Sequence, residues 1–104
     1  MENLFVLTAG AAPDEIAALF SSPAFGELIA KAAADFGQIV IDSPPVTAAS
    51  ETLLIARHAG AVFIVAQTGQ TAIGAASRAC QLLEGVNRKP AGLILTRVPR
   101  RMMV

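Results

Sequence analysis

The stretch Gln38 to Val46, QIVIDSPPV, limits what this chain can fold into more than any other. Ile39, Val40 and Ile41 read as a short buried strand that ends on one acid, Asp42, with Ser43, Pro44 and Pro45 directly after it. In an open parallel sheet, ligands collect outside the carboxyl ends of the strands, so a carboxylate at that point faces a site. In phosphate-handling sheets such an acid holds Mg²⁺, directly or through water. The two prolines stop strand and helix alike and stiffen the loop beside the acid. An N-capping Asp at a strand-to-helix turn is the other reading. This segment alone leaves both open.

On either side, apolar blocks alternate with helical patterns. Leu4 to Leu7 (LFVL) is a four-residue apolar run stopped by Thr8-Ala9-Gly10 and reads as a strand. Pro13, Asp14 and Glu15 open a helix with Ile16, Leu19 and Phe20 on its buried face. Ser21-Ser22-Pro23 starts another, whose Phe25, Leu28, Ile29, Ala32, Ala33 and Phe36 follow the helical period, with Gly37 as a left-handed stop. After the Pro-Pro loop, Ser50 caps a short helix from Glu51 to about His58, closed by Gly60. Ala61 to Ala66 (AVFIVA) is a β-branched strand, and Gln67-Thr68-Gly69-Gln70 is a turn. Thr71 to Glu84 is a helix with Ile73, Ala76, Cys80 and Leu83 inward and Gly85 as its stop. Gly92 to Leu95 (GLIL) is the last strand.

The order β-α-α-β-α-β-α-β, with nearly continuous apolar strands, specifies an α/β fold: a parallel sheet of four strands flanked by helices through right-handed crossovers. An apolar share of 54% over 104 residues is enough for one small core. No apolar run approaches the roughly 18 residues that cross a bilayer. Cys80 is the single cysteine, so an internal disulfide is excluded and a reducing cytoplasm is the expected compartment. Eight basic and eight acidic residues balance, and neither Trp nor Tyr occurs. Nucleic acid is therefore not an expected partner, since both the net positive field and most of the stacking platform are missing.

Taken in order, LFVLTAG, SSPAFGELI, FGQIVIDSPPV, GAVFIVAQTGQT and GLIL resemble the C-terminal half of the bacterial tyrosine kinases of capsular and exopolysaccharide biosynthesis. The resemblance covers about residues 4 to 98, and its most specific part is the apolar strand closing on Asp-Ser-Pro-Pro. It implies half of a three-layer P-loop NTPase-like domain of the deviant Walker type, with residues 1–104 as one partial domain lacking the N-terminal Walker A half. It further implies that Asp42 is the Walker B acid, catalytic and coordinating the Mg²⁺ of Mg-ATP. Ser43, Pro44 and Pro45 would shape the loop around the γ-phosphate. Thr96 would lie near the base, because Thr96-Arg97 stand where relatives often place an Asn.

The expected function is then a fragment or truncated copy of an ATP-dependent tyrosine autokinase that regulates polysaccharide export. The expected partners are a membrane polysaccharide chain-length or export protein, and an intact kinase or a second copy joined through an open sheet edge. A non-catalytic partner subunit that keeps the fold for docking is the alternative, with a place at the inner membrane through its partner. The chain contains no G-x-x-x-x-G-K-[ST], whose backbone N–H groups and lysine hold phosphates. Nor does it contain the relatives' Asp-x-Asp strand end or their tyrosine-rich tail. Ser50-Glu51-Thr52 replaces an Asp-Ala, and Ala66-Gln67 stands where an Arg is usual. On its own the chain is expected to be inactive and to bind Mg-ATP poorly.

Other residues carry weaker signals. His58 ends a helix, where pairing with the helix dipole explains it. Cys80 falls on an inward helical stripe with no partner that would stabilise a thiolate. Arg97, Arg100 and Arg101 form a small basic tail, either solvated or in contact with phosphate or anionic lipid.

Overall fold

The computed structural model describes residues 3–8, 10 and 15–102. Four helices and two strands follow one another: α1 (Ile16–Ser21), α2 (Pro23–Asp35), α3 (Glu51–Ala56), β1 (Phe63–Gln67), α4 (Ile73–Gly85) and β2 (Gly92–Thr96), with a 3₁₀ turn at Arg100–Met102. The strands β1 and β2 pair in parallel, from Phe63 opposite Gly92 to Gln67 opposite Thr96. The α4 helix makes the crossover between them and packs on β1. This is the βαβ unit expected of an α/β chain whose strands are apolar throughout.

A small core forms where α4 packs against α3 and against β1. Its buried members are Thr52, Ile55 and Ala56, then Ala66, then Ala79 and Leu83. Leu83 is the most enclosed, at 2% exposure. On the other side α1 packs against α2 and α3. The Phe20 and Phe25 rings meet edge to face with centroids 4.9 Å apart, and Phe25 meets His58 in the same way at 5.1 Å. Such aromatic pairs favour the perpendicular arrangement because a ring edge is positive and a ring face negative.

Two of the four expected strands do not form. Residues 4–7 and 39–41 join no ladder among the described residues, and Val40 is 84% exposed. Their sequences suit strands, but a strand exists only through a neighbour that takes its N–H and C=O groups. Phe5 does approach Phe36, with centroids 5.3 Å apart, so the first segment lies beside the end of α2.

The helix ends also differ from expectation. Gly37, Gly60 and Gly85 are not left-handed. The α2 helix runs into Phe36 with extended backbone, α3 stops at Ala56, and α4 includes Gly85 and is followed by Asn87 at φ 60°. Asn tolerates this conformation better than most side chains because its short amide bonds locally. Ser50 is itself helical and makes no side-chain cap, while the Ser22 hydroxyl donates back to Leu19 O at 2.8 Å instead of forward into α2. The first helix starts at Ile16; Pro13 and Asp14, read as its opening, lie outside the described residues. Ile16 and Leu19 are exposed and only Phe20 is partly covered. Ile73, read as inward, is 87% exposed, and Ala79 takes the buried place on α4.

Candidate functional site

The loop after residues 39–41 is fixed to the body of the protein at two points. Thr52 of α3 is 8% exposed, and its hydroxyl donates to Pro44 O at 3.0 Å. Pro45 O accepts from Ala48 N at 2.9 Å and from Ala49 N at 3.0 Å, which closes the turn leading into α3. The prolines supply no N–H of their own, so their carbonyls are the groups through which the loop can be held. Asp42, at the start of this loop, is exposed, as are Pro44 and Pro45, while Ser43 is half-buried. The Asp42 carboxylate makes no hydrogen bond among the described residues, which leaves its oxygens open to solvent and to a ligand.

Thr96 belongs to a second cluster, at the carboxyl ends of β1 and β2. Its hydroxyl donates to Ala66 O at 3.4 Å, and its carbonyl accepts from Thr68 N at 3.0 Å. The turn beside it is closed by Gln67 N to Thr71 Oγ1 at 3.0 Å and by Gly69 at φ 79°, a value that glycine adopts without cost. No hydrogen bond joins this cluster to the Asp42 loop among the described residues. Of the five expected site residues, Pro44 is bonded to α3 and Thr96 to β1.

An open depression of about 390 Å³ lies behind the Pro-Pro loop, between residues 46–50, Leu53 of α3, and Arg78 and Leu82 of α4. Among the described residues, Arg78 is its cationic lining residue. Asp42 is not among the residues that line it.

Mg²⁺ is commonly held by one or two carboxylates, with phosphate oxygens and water completing an octahedron. Asp42 fits the role of a single such ligand. No group of three His, Cys, Asp or Glu residues able to cage a metal is present among the described residues. A metal held at Asp42 would have to draw its remaining ligands from phosphate oxygens and water.

Two residues that the sequence reading did not single out organise the region. Thr52 is one. Arg88 is the other: its Nε donates to Ala56 O at 3.2 Å and its Nη2 to Arg57 O at 2.8 Å, so a guanidinium closes the carboxyl end of α3. A cation there satisfies orphan carbonyls and opposes the negative end of the helix. His58, in contrast, is explained by its edge contact with Phe25 and by its nearness to Gly26, where a Cβ would lie 3.3 Å from the imidazole Cε1. Cys80 is half-buried in an apolar groove with Ile64 and Leu93.

No protein-family model matches the chain. Among curated proteins it is similar to tyrosine-protein kinase Wzc of Salmonella typhimurium (strain LT2), 28% identical over 99 residues, covering 95% of this chain and 14% of that protein. It is also similar to CpsD of Streptococcus pneumoniae serotype 4, 28% identical over 98 residues, with coverage of 94% and 43%. YwqD of Bacillus subtilis (strain 168) is 30% identical over 94 residues, with coverage of 90% and 40%. Both are named tyrosine-protein kinases. Among solved structures, the VpsO kinase domain superposes with a TM-score of 0.82 at 30% identity, covering 89% of this chain and 46% of that one. The chain spans less than half the length of each of these relatives.

Proposed function

This chain is a homologue of a segment of the bacterial tyrosine-protein kinases, and on that premise we propose that it supplies the Mg²⁺-binding portion of an ATP-dependent protein tyrosine autokinase. The observation that supports this most directly is the Asp42 loop. An apolar segment ends on one free carboxylate, and the carbonyl two residues later is held by buried Thr52. In this reading Asp42 is the Mg²⁺ ligand, Ser43, Pro44 and Pro45 shape the loop beside the γ-phosphate, and Thr96 lies toward the base.

Bound Mg²⁺ would neutralise charge on the β- and γ-phosphates during transfer to a tyrosine hydroxyl. The protein's contribution at Asp42 would be a negative charge that holds the metal. The acceptor tyrosine belongs to another segment or another molecule, because this sequence contains none. The phosphate-cradling loop must likewise come from outside the 104 residues. The process served is the regulation of exopolysaccharide or capsule synthesis and export, at the cytoplasmic face of a membrane export protein. No helix among the described residues is long and apolar enough to cross a membrane.

A second reading, a non-catalytic partner that docks to an export protein or to an intact kinase, draws on the absence of a G-x-x-x-x-G-K-[ST] motif from this sequence. One experiment separates the two. The chain is fused behind the part of a relative that carries that motif, and Mg²⁺-dependent phosphorylation of a tyrosine substrate is followed. The kinase reading expects activity that falls by orders of magnitude in Asp42→Asn with the fold intact. A folded fusion with no activity, or one indifferent to Asp42→Asn, would remove Asp42 from the chemistry and leave the docking reading.

A further inference from the structure

The formal charges of this chain cancel in number but not in position. All eight acidic residues lie at or before Glu84, and after it come Arg88, Lys89, Arg97, Arg100 and Arg101 with no acid among them. Arg88 is already committed to the end of α3. Arg97, Arg100 and Arg101 follow β2 and are all exposed, and no ion pair engages them among the described residues.

Their backbone is ordered by local bonds. Arg97 sits at φ 54°, which turns the chain as it leaves the strand, and Met102 N donates to Pro99 O at 2.9 Å to close the 3₁₀ turn. The turn therefore holds Arg100 and Arg101 next to Met102, which is 59% exposed. Leu95, the last apolar residue of β2, is 55% exposed.

We propose that this turn is a docking surface for the anionic phospholipid face of a membrane. Cations flanked by exposed apolar side chains match the two layers of a bilayer interface, where phosphates meet the basic groups and the upper acyl region takes the apolar ones. Arginine suits this position because its stem lies along apolar material while its planar head pairs with phosphate. Nucleic acid would need stacking partners, and the last aromatic residue in the sequence is Phe63, at the start of β1. An acidic protein segment would satisfy the arginines without using Met102. The inference does not depend on nucleotide binding.

The test is co-sedimentation of the full chain with vesicles of phosphatidylcholine alone and of phosphatidylcholine mixed with phosphatidylglycerol. Binding is expected only with the anionic lipid and should weaken as salt is raised. The triple variant Arg97→Gln, Arg100→Gln, Arg101→Gln should lose tenfold or more in affinity, while the corresponding triple change to Lys should keep most of it. Met102→Ser should weaken vesicle binding and leave retention on a polyglutamate column unchanged. Circular dichroism confirms that each variant is folded as the parent. Binding to neutral vesicles, no binding to either, an unchanged Gln variant, or an unchanged Met102→Ser would each overturn the proposal. The last of these would mark a general polyanion surface.

Discussion

Arg88 acts on a helix whose end lies 32 residues earlier in sequence. Its bond to Ala56 O is part-buried and its bond to Arg57 O exposed, and both are charge-assisted, so Arg88→Ala should cost about 1 to 3 kcal/mol. Arg88→Lys should recover only part of that, because an ammonium keeps the charge but not the fork. Urea unfolding followed by far-UV circular dichroism measures both, and an Arg88→Ala variant as stable as the parent would show that solvent replaces the guanidinium. Thr52→Val, nearly isosteric, should lose about 1 kcal/mol with the bond to Pro44 O. It should also speed hydrogen exchange at Ala48 and Ala49, whose amides close the adjoining turn; unchanged exchange would mean that the turn needs no anchor. Neither residue was legible from the sequence. Their partners lie outside any helical or strand period, whereas Asp42 announced itself by standing at the end of an apolar run.

At the level of elements, period and composition placed all four helices and both strands of the sheet, and they failed where an outcome depends on neighbours. Residues 39–41 have the side chains of a strand, but a ladder requires a second backbone that the described residues do not supply. The glycines failed for a different reason: a helix can end through extended backbone, as at Phe36, or hand the left-handed position to Asn87. The inward face of α4 was read correctly at Leu83 and wrongly at Ile73, which is the first residue of the helix and projects past its cover. Leu83→Ala should therefore cost about 2 to 5 kcal/mol, with a cavity left between α4 and its neighbours. Ile73→Ala should stay within about 0.5 kcal/mol, as expected of an exposed position. Comparable losses in the two variants, read from denaturation midpoints, would restore Ile73 to the core.

For the whole molecule, the accessible surface is 8339 Å², whereas a folded monomer of this mass exposes about 5,500 Å². The radius of gyration is 15.5 Å against about 13 Å for a compact domain of similar length. Phe63, Val65, Leu93 and Ile94 are each about half exposed or more. A protein with so much uncovered apolar surface and so few strands in its sheet should self-associate or melt at low temperature. Light scattering over a range of concentrations and thermal melting test this. A concentration-independent monomer that melts above the mesophile range of about 45 to 65 °C would show that the surface is closed in solution. The isolated chain should also give no saturable calorimetric signal with micromolar Mg-ATP, because Asp42 cannot replace the several charge-assisted bonds, about 1.5 to 3 kcal/mol each, of a phosphate-cradling loop.

The two anchors on α3 set an order of events as well as a geometry. Six residues are too few to hold a helix by their own hydrogen bonds. The arginine that completes α3 arrives from beyond α4, across separations of 31 and 32 residues. Closing a loop of that length costs entropy before any contact repays it, so α3 has to wait for the βαβ unit. The Asp42 loop hangs from α3 through Thr52, and it waits in turn. During synthesis Asp42 leaves the ribosome long before Arg88, yet it is expected among the last groups to find its place, and the carboxylate is set from the far end of the chain backwards.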